Sequence, residues 1–241
     1  MPISSGLTDY NKRNVKFIPY NNIKSSKKIL DKLKNKISCI LIEPIQASLP
    51  QKDIKNYLKF LDNYSKKNNV ILIFDETISG IRFNGSSVQK LYNLNPDIST
   101  FGKCFGGGLP IGIIAIKRNI LLKITKLKLK VFFGGTFSGN QISTYLGKKT
   151  IEYILNNKKT IFDDLEKKSS FLEKKIKKYI SLNDINANIF RCYSMIRIVF
   201  SKKLPKDRVE RDFLEKNKNK GIEQLRKFLF KKGIYYPSNG I

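Results

Sequence analysis

Two residues of opposite charge stand where chemistry is easiest to build. Asp75 closes the apolar run Val70 to Phe74, and Lys103 follows twenty-eight positions later, between Phe101-Gly102 and the glycines Gly106, Gly107 and Gly108. A short β-branched run bounded by polar residues predicts a strand buried on both faces, in the middle of a parallel sheet. Asp75 and Glu76 then fall at its carboxyl end, where open α/β sheets place ligands. The glycines strip side-chain bulk from the turn that carries Lys103, so a small ligand can approach its amine. A carboxylate and a lysine so placed suit pyridoxal phosphate. The amine forms a Schiff base with the aldehyde, and the carboxylate keeps the pyridine nitrogen protonated so that the ring acts as an electron sink. A lysine beside glycines is also what a solvated loop looks like, and the pair alone does not separate the two readings.

Longer stretches add to the argument. FDETISGIRF, PDISTFGKCFGGGLPIG and FGGTFSGN occur in that order and closely resemble three consecutive motifs of the class III, fold-type I pyridoxal-phosphate aminotransferases. The last two are most similar to the glutamate-1-semialdehyde aminomutase branch and related sugar-pathway enzymes. The resemblance implies an α/β fold: a large domain built on a mostly parallel sheet flanked by helices, then the start of a small α+β C-terminal domain. It makes Lys103 the Schiff-base lysine, Asp75 the partner of the pyridine nitrogen, and Thr136 a phosphate ligand reaching into the neighbouring subunit's site. Ser138, Gly139 and Asn140 complete that last motif. Thr77 occupies the place of a valine that packs on the cofactor ring, and its methyl group can take that role. The resemblance further implies pyridoxal 5'-phosphate as cofactor, a small amino or oxo compound as substrate, and a homodimer. In the EPIQ element, Glu43 to Gln46, many ω-aminotransferases carry a substrate-handling glutamate two residues further on; here that position is Ser48.

Composition narrows the alternatives. The formal charge of +28 invites a nucleic-acid reading, but it comes from 39 lysines and only 8 arginines spread along the chain, not from the arginine forks that read phosphate. Nucleic acid is therefore not the expected partner, and a salt-dependent shift on heparin or DNA discriminates that basic-module reading. The sequence has no histidine, which excludes Ser-His and Cys-His catalysis within the chain. Three cysteines, Cys39, Cys104 and Cys192, are odd in number and far apart. They predict neither a disulfide framework nor a zinc site, and reduced thiols suit a cytoplasmic protein. Cys104 beside Lys103 reads as a small packing residue. No run approaches the ~20 apolar residues of a membrane span, and the first residues lack an apolar signal core.

The elements that must position the site follow from periodicity. Val15 to Pro19 predicts a short strand, and Asn21 or Asn22 caps a helix running to about Lys36. Ser38 to Ile45 predicts a strand ended by Glu43-Pro44, and Lys52 to Lys67 an amphipathic helix with Ile54, Tyr57, Leu58, Leu61 and Tyr64 inward. With the strand at Val70, a βαβαβ order emerges, and with it a parallel, right-handedly connected sheet. Beyond Lys103, Gly112 to Ile116 predicts a strand and Asn119 to Lys130 either helix or loop. Gln141 to Leu155 and Ile161 to Ile180 predict helices, Arg191 to Phe200 a strand, Arg208 to Lys231 a helix and Ile234 to Tyr236 a closing strand. The expected division is residues 1–158 as a partial cofactor-binding domain and 159–241 as a partial small domain. The resemblance covers only the middle and later parts of a full family member, without the Ser/Gly loop that cradles the cofactor phosphate. The expected protein is thus a split, truncated or partner-dependent form, completed by a separate N-terminal half chain, or an inactive remnant.

Overall fold

The computed structural model describes residues 8–128, 130–132, 134–215 and 219–236. Helices α1 (Asp9–Asn14) and α2 (Ile23–Lys32) precede strand β1 (Cys39–Ile42) and helix α3 (Lys55–Asn68). Strand β2 (Ile71–Asp75), the one-turn helix α4 (Val88–Leu91) and strand β3 (Ile98–Gly102) lead into a 3-10 turn, Lys103–Gly106. After β4 (Gly112–Ile116) come helices α5 (Arg118–Lys126), α6 (Gln141–Asn156) and α7 (Lys158–Leu182). The hairpin β5 (Asn188–Cys192) and β6 (Met195–Val199) and helices α8 (Arg208–Glu215) and α9 (Asn219–Lys231) complete the order.

Four strands form one sheet in the order β1-β2-β3-β4, with β1, β2 and β3 parallel. The fold is α/β with a mostly parallel sheet flanked by helices, as the sequence predicts. The last strand departs from an all-parallel sheet, because β4 runs antiparallel to β3. Its reason is the short glycine-rich connection: antiparallel neighbours can be joined tightly, whereas a parallel return needs a crossover of a dozen or more residues. Strand β3 itself is not evident from sequence, since Ser99 and Thr100 interrupt its apolar pattern.

Helix α3 supplies the core beneath one sheet face. Tyr57, Leu58 and Leu61 pack with Ile40, Ile42, Leu72 and Phe74, all buried. At the end of α3, Asn69 adopts the left-handed conformation (φ 54°) and its N–H bonds Ser65 C=O. The turn into β2 thus comes from an asparagine tolerating a conformation that bulkier residues avoid. The opposite face is only partly covered and is most open at its two edge strands. Cys39 and Leu41 of β1 alternate with the buried Ile40 and Ile42, and Leu41 is 65% exposed. The ladder aligns Leu41 with Ile73, Ile73 with Ile98 and Ile98 with Ile116, while Ile114, 61% exposed, pairs with Thr100 in the row of Asp75. A row of aliphatic side chains therefore crosses all four strands on the face that α3 does not cover.

Several expected elements change. Residues 15–19 form no strand; they run as an irregular segment whose Pro19 C=O accepts from the Ser26 and Tyr57 hydroxyls. The run from Arg191 to Phe200 is not one strand but part of a hairpin, because Tyr193 (φ 54°) and Ser194 turn the chain between Cys192 and Met195. The helix expected from Arg208 to Lys231 is found as α8 and α9 over Arg208–Glu215 and Asn219–Lys231, and residues 216–218 between them lie outside the described residues. Residues 234–236 form no strand, since Gly233 (φ 74°) ends α9 and the Ile234 N–H turns back to Leu229 C=O. Helix α5 settles the helix-or-loop alternative over most of its length, and Leu129 lies outside the described residues.

Candidate active site

Asp75 is held at the carboxyl end of β2 by its neighbours. Its Oδ1 accepts from the Thr77 N–H (3.0 Å), the Thr77 hydroxyl (2.6 Å) and the Thr100 hydroxyl (2.9 Å). Among the described residues no hydrogen bond reaches Oδ2. Burial pushes the carboxyl up, but the Thr77 and Thr100 hydrogen bonds and the charge of Lys103 outweigh it and hold Asp75 below its ordinary value. The result is an ionised carboxylate with one oxygen fixed and the other open. Asp75 faces the side of the sheet that α3 does not cover, because Asp75 and Thr100 are two residues on from Ile73 and Ile98 along paired strands.

Lys103 begins the 3-10 turn directly after β3, one strand over from Asp75, and is exposed. Its backbone is left-handed (φ 52°), uncommon for a residue with a long side chain. The turn is packed closely from below. A Cβ on Gly102 would lie 3.0 Å from Ile111 C=O and 3.4 Å from the Thr77 methyl, and a Cβ on Gly147 of α6 would lie 2.7 Å from Phe105 C=O. Small residues at these points let α6 and the Thr77 loop approach the Lys103 turn.

Glu76, adjacent to Asp75, points the other way and is fully buried. Its carboxylate accepts from the Val88 and Gln89 N–H groups at the start of α4 (2.7 and 3.0 Å) and from the Ser79 hydroxyl (3.1 Å). Burial outweighs these bonds and pushes Glu76 up. Its work is structural: it anchors the N-terminus of α4 to the end of β2. Glu43, at the end of β1, accepts from the Ala47 N–H (3.0 Å) and is likewise pushed up, by burial first and by the charge of Asp75.

Asp75, Thr77 and Lys103 are therefore brought to one end of the sheet. Thr136 is exposed, in the turn that leads to α6, and no hydrogen bond among the described residues joins it to them. Asn140 of the same motif caps α6, its side chain accepting from the Ser143 N–H (3.0 Å). The C=O of Ser48, at the position where many ω-aminotransferases carry a glutamate, accepts from the Arg211 guanidinium of α8. Two neighbours went unremarked in the sequence as members of the site. Thr100 lies in a strand its polar residues disguise, and the closeness of Glu43 to Asp75 depends on a strand register that no local pattern states.

A cleft of about 690 Å³ elsewhere is lined by Tyr20, Asp53, Glu173 and Arg191 among others, but Arg191 is already bound by Glu166 and Glu173 (2.9 and 2.6 Å). Cys192 is buried, which raises its thiol to about 11, and the three cysteines are free. No group of metal-binding side chains occurs among the described residues, and no helix among them is long and apolar enough to cross a membrane.

The residues present fit pyridoxal phosphate on two counts. An ionised carboxylate with an open oxygen is the partner a protonated pyridine nitrogen needs, and an exposed lysine stands on the next strand end. Comparison with known proteins agrees. The family described as Aminotransferase class-III matches residues 7–227. The glutamate-1-semialdehyde 2,1-aminomutase of Thermosipho africanus is 34% identical over 98% of this chain and 54% of its own length. The fold superimposes on an omega-transaminase from Sphaerobacter thermophilus (TM-score 0.85, 18% identity, 99% of this chain and 54% of that one). It also superimposes on a glutamate-1-semialdehyde aminomutase from Pseudomonas aeruginosa solved in complex with PMP (TM-score 0.84, 16% identity, 98% and 53%). The chain thus spans about half the length of the curated relatives it matches. Over that half, its sequence and its fold agree, and the chain belongs to the class-III aminotransferase family, whose members depend on pyridoxal phosphate.

Proposed function

We propose that this chain carries the lysine and aspartate of a pyridoxal-phosphate-dependent aminotransferase or aminomutase, which exchanges amino and oxo groups on a small-molecule substrate. The observation that carries the reading is Asp75, kept ionised by Thr77 and Thr100 beside the charge of Lys103. Bound pyridoxal phosphate supplies an electron sink that loosens a bond at the substrate's amino-bearing carbon. Asp75 Oδ2 would accept the pyridine N–H and hold the proton there. Lys103 Nζ would be the covalent attachment point for the aldehyde and, as a free amine, the base that moves a proton at the substrate carbon. The Thr77 methyl would pack on the ring, and Thr136 would donate its hydroxyl to a phosphate in the partner's site, so that the working form is a homodimer. The division at residue 158 separates the cofactor-binding part from the small domain, and free cysteines suit a cytoplasmic setting.

One further observation bears on assembly. Parallel sheets are covered on both faces, and the face that carries Asp75 is aliphatic here and exposed at Leu41 and Ile114. We propose that additional polypeptide, equivalent to the remaining half of the relatives, covers it and supplies the phosphate cup and the substrate-selecting residues. The test is complementation. The chain is co-expressed with that remaining half taken from the Thermosipho africanus relative, and the cofactor's visible absorbance is followed on adding an amino donor. Loss of absorbance that depends on Lys103 supports the reading; none, in a complex that forms and binds the cofactor, overturns it.

A further inference from the structure

Glu43 closes β1 much as Asp75 closes β2. The parallel register pairs Ile42 with Phe74, so the next pair along is Glu43 beside Asp75, on strands about 4.8 Å apart. Both lie two residues beyond the paired Leu41 and Ile73, which places them on the same face of the sheet, half-buried. Hydrogen bonds are shared unequally between them. Asp75 Oδ1 collects three, whereas Glu43 Oε1 takes one, from Ala47 N–H, and no hydrogen bond among the described residues reaches Glu43 Oε2. Two carboxyl groups this close do not ionise independently, and the proton goes first to the one with fewer donors.

We infer that Glu43 is a positioning residue of this site: it takes up the first proton bound by the carboxyl pair, and so leaves Asp75 charged toward a cationic ring nitrogen as the pH falls. The inference rests on the Asp75–Lys103 reading for its purpose, but the pairing itself stands on register and hydrogen bonding. The charged and titratable groups around Glu43 come from four elements. Lys103 in the turn and Arg208 on α8 favour its ionised form, Asp75 on β2 and burial oppose it, and Tyr20 before α2 is too buried to ionise. Burial is the largest of these effects, and the balance raises Glu43 while Asp75 is lowered.

The test is a carbon-13 titration of the side-chain carboxyls in the ligand-free 241-residue chain, with Glu43 and Asp75 assigned by through-bond spectra. Glu43 is expected to titrate above the ordinary glutamates and Asp75 below the ordinary aspartates. Asp75→Asn should lower the Glu43 midpoint by about one pH unit, because a charge at this distance is removed. Glu43→Gln should leave Asp75 in place, because Glu43 is already neutral when Asp75 titrates. A glutamate remote from Asp75 would not move with its charge. The inference is overturned if Asp75 takes the first proton in the wild type, a result that needs no variant to fold, or if Glu43 stays put in Asp75→Asn. Pyridoxal phosphate labelling of Lys103 is a separate measurement, so failure of the cofactor site and failure of the pair are told apart.

Discussion

Thr100 Oγ1 donates to Asp75 Oδ1 across 2.9 Å, from one strand to the next, in the register that sets the two residues side by side. Together with Thr77 it turns a carboxyl at a strand end into a fixed anion.

Removing that donor should be felt in both stability and titration. Thr100→Val keeps the shape and deletes the hydroxyl, and should cost about 1.5 kcal/mol at neutral pH, the low end for a hydrogen bond to a charged group because Asp75 is only half-buried. Asp75 is held below its ordinary value in the folded chain, so its stabilisation is present above the unfolded value and disappears as the pH falls through the folded one. The gap between wild type and Thr100→Val in urea unfolding should therefore shrink at acid pH; a gap that stays constant down to that range would contradict the account.

Gly80 sets how tightly the Asp75 loop packs on the Lys103 turn. A Cβ there would lie 2.6 Å from Phe101 Cδ1, 2.8 Å from Glu76 C=O and 2.9 Å from Phe105 Cε2. Phe101 and Phe105 bracket Lys103, with ring centroids 5.5 Å apart. Gly80→Ala should destabilise by about 1–3 kcal/mol, the usual cost of overpacking, and thermal melting checks it. An unchanged melting temperature would show that the turn moves aside freely.

Glu76 tests which of the two adjacent acids is structural. Glu76→Ala leaves the Val88 and Gln89 N–H groups and the Ser79 hydroxyl without their acceptor, and should cost about 2–4 kcal/mol. Glu76→Gln, which keeps one acceptor oxygen, should cost less. Equal effects from the two changes would show that the hydrogen bonds matter little.

The partly open sheet face predicts association. Leu41→Lys and Ile114→Lys place charges where aliphatic side chains are 65% and 61% exposed, and should reduce self-association in sedimentation without lowering thermal stability. A wild-type chain that sediments as a monomer at high concentration would show that the face tolerates water.

How much of this the sequence disclosed depended on the range of the signal. Asp75 and Lys103 could be read because a compact apolar run and a glycine cluster mark a strand end and a turn locally. The α3 stripe of Tyr57, Leu58 and Leu61 was equally plain, since helical period and burial coincide. Thr100 was not, because β3 carries two hydroxyl residues where an apolar pattern would announce a strand. Strand β4 was legible at its bounds, Gly112 to Ile116, but not its antiparallel direction, because alternation says nothing about direction, and the hairpin at Tyr193 was not, because no glycine or asparagine marks its positive φ. Glu43 needed the pairing of Ile42 with Phe74, a relation between residues thirty-two positions apart.

The central claim is that Lys103 is the lysine that holds the cofactor, and one measurement tests it most directly. The chain, co-expressed with the remaining half taken from the Thermosipho africanus relative, is mixed with pyridoxal phosphate at less than one equivalent, reduced with borohydride and digested, and the modified lysine of this chain is located by mass spectrometry. The account predicts that Lys103 is labelled well ahead of the other 38 lysines, and that Asp75→Asn weakens this preference by removing the partner of the ring nitrogen. Label spread evenly over the surface lysines, unchanged by Asp75→Asn, would contradict it.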